Sequence, residues 1–284
     1  MIIDFHTHIF PPEMCANRER YLDQDRWFRA LYSNPKARMA TAEDLIAAID
    51  EAGVDVAVTF GFAWADERLC REHNAYVVDA MRRYPDRLVG FAMAQPLAGR
   101  QAIADAEWCL DRGLRGIGEL MPDGQDYTWD DDAVQPFVQF VAERGVPLLT
   151  HSNESLGHAY PGKGDVGPAM LYRLAMRYPA LTLVCAHWGG GLPFYELMPE
   201  VRAACANVYY DTAASVYLYD DAIYRVAEAC APGKVLFGSD YPLVKPGRYV
   251  KRIRALGLAP DVEAALLGGT AARLLGLAET PDMC

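Results

Sequence analysis

Two histidines separated by a single residue lie near the start of the chain. The stretch Ile2-Ile3-Asp4-Phe5-His6-Thr7-His8 is largely apolar until it reaches them. Side chains two positions apart on a β-strand point to the same face, so His6 and His8 aim at one point. Two neutral imidazoles placed in this way supply half of a zinc-type site, because borderline-soft divalent cations favour nitrogen ligands. The pair predicts a metal site that needs further ligands; the alternative is a strand with two structural histidines.

Three later apolar runs also end in a residue of metal-ligand type. They reach His151, His187 and Asp240, respectively. Of the six histidines in the chain, four therefore lie at strand ends. Chance placement would scatter them over helices and loops as well, so this pattern favours the metal interpretation.

Short apolar runs alternate along the chain with longer helical patterns. Parallel strands need helical crossovers, and near-continuous apolar strands indicate burial on both faces. The predicted fold class is α/β: a parallel (β/α)8 TIM barrel that forms one domain over residues 1–284, with catalytic residues at the carboxyl ends of its strands. A doubly wound sheet is the alternative, but no GxGxxG turn follows the first strand. The eight predicted strands are Ile2–His6, Val54–Phe60, Leu88–Gln95, Gly116–Leu120, Val146–His151, Leu181–His187, Val208–Thr212 and Val235–Asp240.

The segment from Ile9 to Arg38 is long for a connection between a barrel strand and its helix. It is rich in arginines and aromatic residues. Long ordered loops on the catalytic face often form lids or substrate walls, so we expect this segment to hold an arginine that binds a carboxylate. For any one arginine, a solvated surface position is the alternative. Trp64, Trp188 and Tyr241 follow strand ends and are candidate contacts to a planar substrate.

Composition excludes several classes of partner. The formal net charge of -11 argues against nucleic acid and anionic membranes, which call for a basic patch. No run approaches the roughly 18 apolar residues of a membrane span, and the chain begins with a strand pattern instead of a signal peptide, so we expect a cytoplasmic protein. Seven cysteines without a CxxC spacing are typical of reduced, packed thiols.

Four motifs together resemble the metal-dependent amidohydrolase superfamily. More narrowly, they resemble its amidohydrolase-related (amidohydrolase 2) branch, which includes aminocarboxymuconate semialdehyde decarboxylase. The resemblance runs from the first strand to the last helix. The motifs are Phe5-His6-Thr7-His8, His151, Ala186-His187-Trp188-Gly189-Gly190-Gly191 and Phe237-Gly238-Ser239-Asp240-Tyr241-Pro242.

The resemblance implies one divalent metal ion, most often zinc. Its ligands would be His6, His8, His151 and Asp240. Many superfamily members bridge two metals with a carbamylated lysine on the fourth strand, whereas this strand ends at Glu119. A second metal shared by Glu119, His151 and His187 is therefore an alternative to the single ion, as is a Glu119 that only hydrogen-bonds a ligand histidine.

The predicted function is metal-dependent hydrolysis of an amide, ester or lactone in a small molecule. Zinc lowers the pKa of bound water to about 7. Asp240 would act as the general base, and His187 would polarise a carbonyl or pass on the proton. The alternative is a metal-dependent non-oxidative decarboxylase of a small carboxylated substrate, in which His187 assists protonation of the carbon that loses carbon dioxide. A barrel that only binds a ligand is disfavoured, since every expected ligand type is present. We expect a small carboxylated or aromatic substrate. Because members of the superfamily commonly form dimers, the resemblance also implies a homodimer.

Overall fold

Eight parallel strands form the centre of the computed structural model, which describes residues 1–277. Each strand pairs with its neighbour in the chain, in the order 1 to 8. The first and last strands meet through two backbone hydrogen bonds, Phe5 N–H to Phe237 O and His8 N–H to Tyr241 O, both 2.7 Å. The predicted (β/α)8 barrel is confirmed, and this strand order excludes a doubly wound sheet. The strands are β1 Ile3–His8, β2 Val56–Phe60, β3 Leu88–Ala92, β4 Gly116–Leu120, β5 Leu148–Thr150, β6 Leu183–Cys185, β7 Val208–Asp211 and β8 Val235–Leu236.

Several strands end earlier than their apolar runs predict. His187 and Asp240 lie beyond the ends of β6 and β8, and both have positive backbone φ angles, 53° and 61°. Non-glycine residues rarely adopt this conformation, and where they do it is often at a functional site. The strands β5, β6 and β8 therefore end one, two and four residues before the candidate site residues His151, His187 and Asp240.

Helices follow most of the strands and cover the barrel. The helix after the inserted segment begins with a capping box between Thr41 and Asp44 and ends at Gly53 in the left-handed conformation. The helices are α1 Pro12–Ala16, α2 Arg18–Leu22, α3 Arg26–Tyr32, α4 Ala42–Ala52, α5 Glu67–Arg83, α6 Arg100–Leu110, α7 Gln135–Arg144, α8 Pro168–Arg177, α9 Pro199–Ala204, α10 Ser215–Leu218, α11 Ala222–Cys230, α12 Pro246–Ala255, α13 Pro260–Ala264 and α14 Thr270–Leu275. Helical turns cover Pro96–Ala98, Asp132–Val134, His187–Leu197 and Ala265–Gly269.

The inserted segment folds into the three short helices α1 to α3. Asp25 holds α3 in place, because its carboxylate accepts hydrogen bonds from Trp27 N and Phe28 N and also from Ala65 N beyond β2. Phe28 is fully buried beneath the helix. The segment is therefore packed against the barrel mouth and can serve as a wall of a binding site.

The cysteines among residues 1–277 are free, in agreement with the expected reduced thiols. Within the same residues, no helix combines the length and the apolar character that a membrane crossing requires.

Candidate metal centre and substrate pocket

The two histidines of β1 point their inner ring nitrogens at each other. His6 Nε2 and His8 Nε2 are 3.2 Å apart. On the outer side, His6 Nδ1 lies 2.8 Å from Asp211 Oδ2, and His8 Nδ1 lies 3.2 Å from Gly61 O. Both outer partners are acceptors, so we assign the ring protons to Nδ1 and leave a lone pair on each Nε2. Two facing lone pairs require a proton or a metal cation between them.

Two carboxylates complete this first group. Glu119 Oε2 lies 3.5 Å from His6 Nε2 and 3.7 Å from His8 Nε2. Asp240 Oδ1 lies 3.8 Å and 3.5 Å from the same two nitrogens. Ligands that bind one ion at about 2.0–2.2 Å are separated by distances of this order. The donor set of two imidazoles and two carboxylates therefore fits a divalent metal.

His151 and His187 form a second group with the same arrangement. His151 Nδ1 and His187 Nε2 are 3.2 Å apart. Their outer nitrogens donate to backbone carbonyls, His151 Nε2 to Gly162 O and His187 Nδ1 to Ala213 O, both at 3.0 Å. Glu119 Oε1 faces the inner nitrogens, at 2.8 Å from His151 and 3.4 Å from His187. Glu119 thus presents one carboxylate oxygen to each group.

The structure brings all six predicted site residues together at the carboxyl ends of the strands. It groups them differently from the ligand set that the resemblance implies. Glu119 lies with His6 and His8, while His151 lies across that carboxylate beside His187. The carboxylate of Glu119 lies between the two pairs of histidines. Which of these residues bind metal, and which act on the substrate, stays a prediction.

Asp211, at the end of β7, is not among the predicted site residues, because its position in the sequence favoured a structural role. Its Oδ2 accepts from His6 Nδ1, and its Oδ1 accepts from the backbone N–H of His187 at 3.0 Å and of Ala213 at 2.9 Å. One buried carboxylate therefore orients a histidine of each group. Its position at the carboxyl end of a barrel strand was the available signal.

Local backbone geometry allows these elements to approach closely. Gly118 precedes Glu119 with a φ of +115°, and a Cβ there would lie 2.0 Å from Leu149 O. Gly190 has a φ of +60°, and a Cβ there would lie 2.0 Å from Asn153 O. Only glycine fits at either position, which accounts for glycines beside two of the site residues.

The electrostatics of the site favour positive charge at its centre. Burial would lower the pKa of His187, but the hydrogen bond and charge of Glu119 outweigh it and raise that pKa to about 9. Burial also opposes the charged form of His6, yet Asp211 and Glu119 hold its pKa well above the usual value. Burial would raise the pKa of Asp240, but the hydrogen bond of His8 and the nearby histidine charges lower it to about 2. A divalent cation bound there would be stabilised by the carboxylates of Glu119 and Asp240.

A pocket of about 330 Å³ opens above the two groups. His8, Glu119, His151, His187 and Asp240 contribute to its lining, and apolar side chains supply much of the rest. Its volume is at the lower end of the range for small-molecule sites. The apolar and aromatic lining residues include Leu31, Tyr32, Phe62, Met121, Tyr217, Leu218 and Leu243.

The amidohydrolase family model matches residues 3–277. This chain belongs to the amidohydrolase family. The match spans the barrel from β1 to the end of α14, so the family resemblance inferred from the four motifs is confirmed.

Similar proteins include several decarboxylases. A 6-methylsalicylic acid decarboxylase from Penicillium expansum is 25% identical to this amidohydrolase, with 84% of each chain covered. The 5-carboxyvanillate decarboxylase of Novosphingobium aromaticivorans, solved with manganese and 4-hydroxy-3-methoxy-5-nitrobenzoic acid, has a TM-score of 0.77 at 17% identity, covering 97% of this chain and 96% of that one. A 2,6-dihydroxybenzoate decarboxylase from Rhizobium has a TM-score of 0.72 at 19% identity, covering 97% and 98%. The two structural likenesses establish the shared fold.

These findings favour the second of the two predicted reactions. Hydrolysis was the first reading of the ligand set, because that set leaves room for an activated water. The three similar proteins described above are named as decarboxylases, and one of them was solved with manganese. The ligand types alone could not separate the two reactions, since both use the same nitrogen and oxygen donors.

The carboxylate-binding arginine expected in the inserted segment of this amidohydrolase corresponds best to Arg38. It lines the pocket and makes no ion pair or hydrogen bond through its side chain within residues 1–277. The other arginines of the segment have partners: Arg26 contacts Asp126, and Arg29 contacts Asp23. Arg38 is thus the arginine of this segment that lines the pocket without a side-chain partner among the described residues.

The aromatic residues after the strand ends are a correction to the sequence analysis. Trp64 and Trp188 are completely buried, and neither they nor Tyr241 line the pocket. Trp64 packs on Phe28 of α3, and Trp188 donates its indole N–H to Ser215. Their side chains serve the packing of the barrel rim.

Proposed function

We propose that this protein is a divalent-metal-dependent, non-oxidative decarboxylase of a small aromatic carboxylic acid that carries a ring hydroxyl group. One observation carries the proposal: the cation-binding group of His6, His8, Glu119 and Asp240 lies at a small, largely apolar pocket whose wall holds the unpaired Arg38. An apolar cleft of this size suits a single aromatic ring, and an arginine suits its carboxylate.

The named substrates of the similar proteins support this choice. Salicylic, carboxyvanillic and dihydroxybenzoic acids are all benzoic acids with a ring hydroxyl. One of these relatives was solved with manganese and a nitro-substituted hydroxybenzoic acid. The proposed substrates combine an anionic carboxylate with a planar apolar ring. Arg38 suits the carboxylate, and the apolar lining of the pocket suits the ring.

The first group is the proposed metal site. His6, His8, Glu119 and Asp240 would hold the ion, and either zinc or manganese agrees with nitrogen and oxygen donors. A metal bound there supplies a positive charge that stabilises negative charge on substrate oxygens. Asp211 keeps the His6 ring in the required orientation.

The remaining roles belong to residues of the chain. Arg38 attracts the anionic acid, and the apolar wall holds its ring and excludes water. His187 donates Nδ1–H to Ala213 O, so Nε2 is the nitrogen that can carry a proton toward the pocket. The proton forms a C–H bond at the ring carbon that bears the carboxylate. The bond between that carbon and the carboxylate then breaks, and carbon dioxide leaves.

Hydrolysis with two metal ions is the second candidate. Glu119 presents one oxygen to each group, which suits a bridging carboxylate. In that case His187 Nε2 would bind an ion and could not carry a proton at the same time. The released product separates the two reactions, because only the decarboxylase releases carbon dioxide. The number of ions per chain separates the one-metal site from the two-metal site.

The test combines metal analysis with a product assay. The chain purified without chelator is analysed by elemental mass spectrometry, alongside the double variant His6→Ala, His8→Ala. The metal-loaded chain is then incubated in D2O with a series of 2-hydroxybenzoates. We expect one ion per wild-type chain, none in the double variant, and carbon dioxide release with deuterium at the carbon that lost the carboxylate. Two ions per chain, with ester, lactone or amide cleavage and no carbon dioxide, would overturn the proposal.

His187→Asn tests the proton donor separately. A missing general acid typically costs a factor of about 10² to 10⁴ in turnover. We expect turnover to fall by this factor while one ion stays bound, because His187 is not one of the proposed metal ligands. Unchanged turnover in this variant would remove His187 from the mechanism while leaving the substrate class intact.

A further inference from the structure

Tyr32, the last residue of α3, lines the pocket and carries a hydroxyl group. That hydroxyl has no hydrogen-bond partner among residues 1–277. By contrast, the hydroxyl of Tyr160, which also lines the pocket, donates to Glu154 Oε2 at 2.8 Å. The phenol of Tyr32 is therefore a free donor at the site, and the proposed reaction does not yet use it.

The ring of Tyr32 is held rigidly by other aromatic rings. It stacks on Phe28, with ring centres 4.7 Å apart and planes at 27°. Phe10 and Phe62 meet it edge-on, at 5.4 Å and 6.0 Å. A side chain packed in this way loses little further rotational freedom when its hydroxyl binds a ligand.

The backbone that carries Tyr32 is fixed as well. The Arg18 guanidinium donates hydrogen bonds to Tyr32 O at 3.5 Å, Asn34 O at 3.2 Å and Ala37 O at 2.7 Å. These three carbonyls belong to the turn between Tyr32 and Arg38. Arg18 thus braces the turn that presents both a phenol and a cation to the pocket, an arrangement that preorganises a binding site.

The charges around the hydroxyl indicate which end of a ligand it faces. Burial raises the pKa of Tyr32 above its ordinary value, and the charges of Asp240 and Glu119 raise it further. The hydroxyl therefore lies within the field of the first metal group and keeps its proton. A ligand oxygen held near that group would meet a donor.

We propose that Tyr32 is a specificity-determining residue, whose hydroxyl donates a hydrogen bond to the ring hydroxyl oxygen of the substrate. The assignment rests on the proposed function, and it adds a reason why a hydroxylated benzoic acid would bind better than benzoic acid itself. A site that hydrogen-bonds a substrate oxygen discriminates against the analogue that lacks it, because the donor is then left unpaired.

The test is a comparison of two ligands on two forms of the metal-loaded chain. The ligands are 5-nitro-2-hydroxybenzoate and 3-nitrobenzoate, which differ only by the hydroxyl group; the nitro group also disfavours ring protonation and hence turnover. Calorimetry gives the Kd of each ligand for the wild type and for Tyr32→Phe. We expect the variant to bind the hydroxylated ligand about tenfold more weakly and the other ligand with a change of less than about twofold.

A spectroscopic measurement adds a readout that a purely structural role would not affect. The absorbance of the bound nitrophenol reports its ionisation. A donor on the phenolic oxygen favours the anion, so its apparent pKa should rise by about one unit in Tyr32→Phe. The matched control is Tyr76→Phe, which removes a hydroxyl that accepts from Ala42 N outside the pocket. We expect no change in that control.

The outcomes separate this assignment from the proposed function. If Tyr32→Phe weakens both ligands equally, or neither, the wild type remains a hydroxybenzoate-binding enzyme and the role of Tyr32 is overturned. If the wild type binds neither ligand, the substrate class of the proposed function is wrong, and this assignment is overturned with it.

Discussion

The inner nitrogens of His6 and His8 face each other at 3.2 Å, and their outer nitrogens are held by oxygen acceptors. Neither ring can hydrogen-bond the other unless one of them gains a second proton. Such an arrangement is stable only with positive charge between the rings.

Replacing Glu119 with glutamine should weaken metal binding. The substitution keeps the shape of the side chain but removes the negative charge that faces both histidine groups. We expect the affinity for manganese or zinc to fall by at least about tenfold, with turnover falling in parallel. Competition with a chromogenic chelator measures the affinity. Glu143→Gln, an exposed glutamate that contacts Gln139, is the control. Equal affinities in wild type and Glu119→Gln would place this carboxylate outside the metal site.

Replacing Asp211 with asparagine should also weaken metal binding, although Asp211 touches no ion. The asparagine Oδ1 would still accept hydrogen bonds from the backbone N–H groups of His187 and Ala213. Its NH2 group would then face His6 Nδ1. Two donors cannot face each other, so the ring proton would move to Nε2 and block the metal-binding lone pair. We expect the metal affinity to fall 10- to 100-fold, which is the usual range when a hydrogen-bond partner of a metal ligand is replaced. Asp130→Asn, which alters a surface pair with Arg173, should bind metal normally. Retained affinity in Asp211→Asn would mean that Asp211 supports the fold alone.

Replacing Arg38 with glutamine should raise KM with little change in kcat. The guanidinium is the pocket cation proposed to attract the substrate carboxylate, and it contacts no reacting carbon. A hydrogen bond to a charged group accounts for about a tenfold change in affinity. Steady-state kinetics measure KM and kcat separately. The KM of Arg38→Lys should lie between those of the wild type and Arg38→Gln, because lysine keeps the positive charge but lacks the forked geometry of arginine. Arg20→Gln, which alters an outer pair with Glu13, is the control. A fall in kcat with KM unchanged would contradict this role.

His73 should make the fold sensitive to acid. Its ring is completely buried, donates to Ile9 O and accepts from Phe62 N and the Trp64 indole N–H. Burial, the main cause, lowers the pKa of His73 to about 4. The unfolded chain, with a histidine pKa of about 6.5, therefore binds a proton that the folded chain does not bind between those two values. The contribution of His73 to the free energy of unfolding should be largest above pH 6.5 and should fall by about 3 kcal/mol as the pH drops to 4.

Denaturant unfolding at pH 7.5 and pH 5 measures this effect. The free energy of unfolding of His73→Gln should decrease less between pH 7.5 and pH 5 than that of the wild type, because glutamine does not titrate. Other acidic and basic groups are common to both chains, so the difference between them isolates His73. Parallel pH profiles for the two chains would show that His73 does not control acid stability.

The amino-acid sequence alone was enough to predict the barrel and the location of its chemistry. Eight apolar runs separated by helical patterns allow few folds, and parallel strands bring their carboxyl ends to one edge. His6, His8, His151, His187 and Asp240 are all found at that edge, so their strand positions sufficed. Glu119 was identified through the family resemblance, and β4 has the bounds predicted for the strand that carries it.

The tertiary structure decided how those residues are divided and which neighbours support them. Glu119 lies between the two histidine pairs, with Oε2 facing His6 and His8 and Oε1 facing His151 and His187. The sequence could not rank Arg18 against Arg38, since both lie in one segment. Folding turns Arg18 onto backbone carbonyls and leaves Arg38 at the pocket. Strand order follows from local patterns, whereas the direction of a side chain depends on contacts made across the whole barrel.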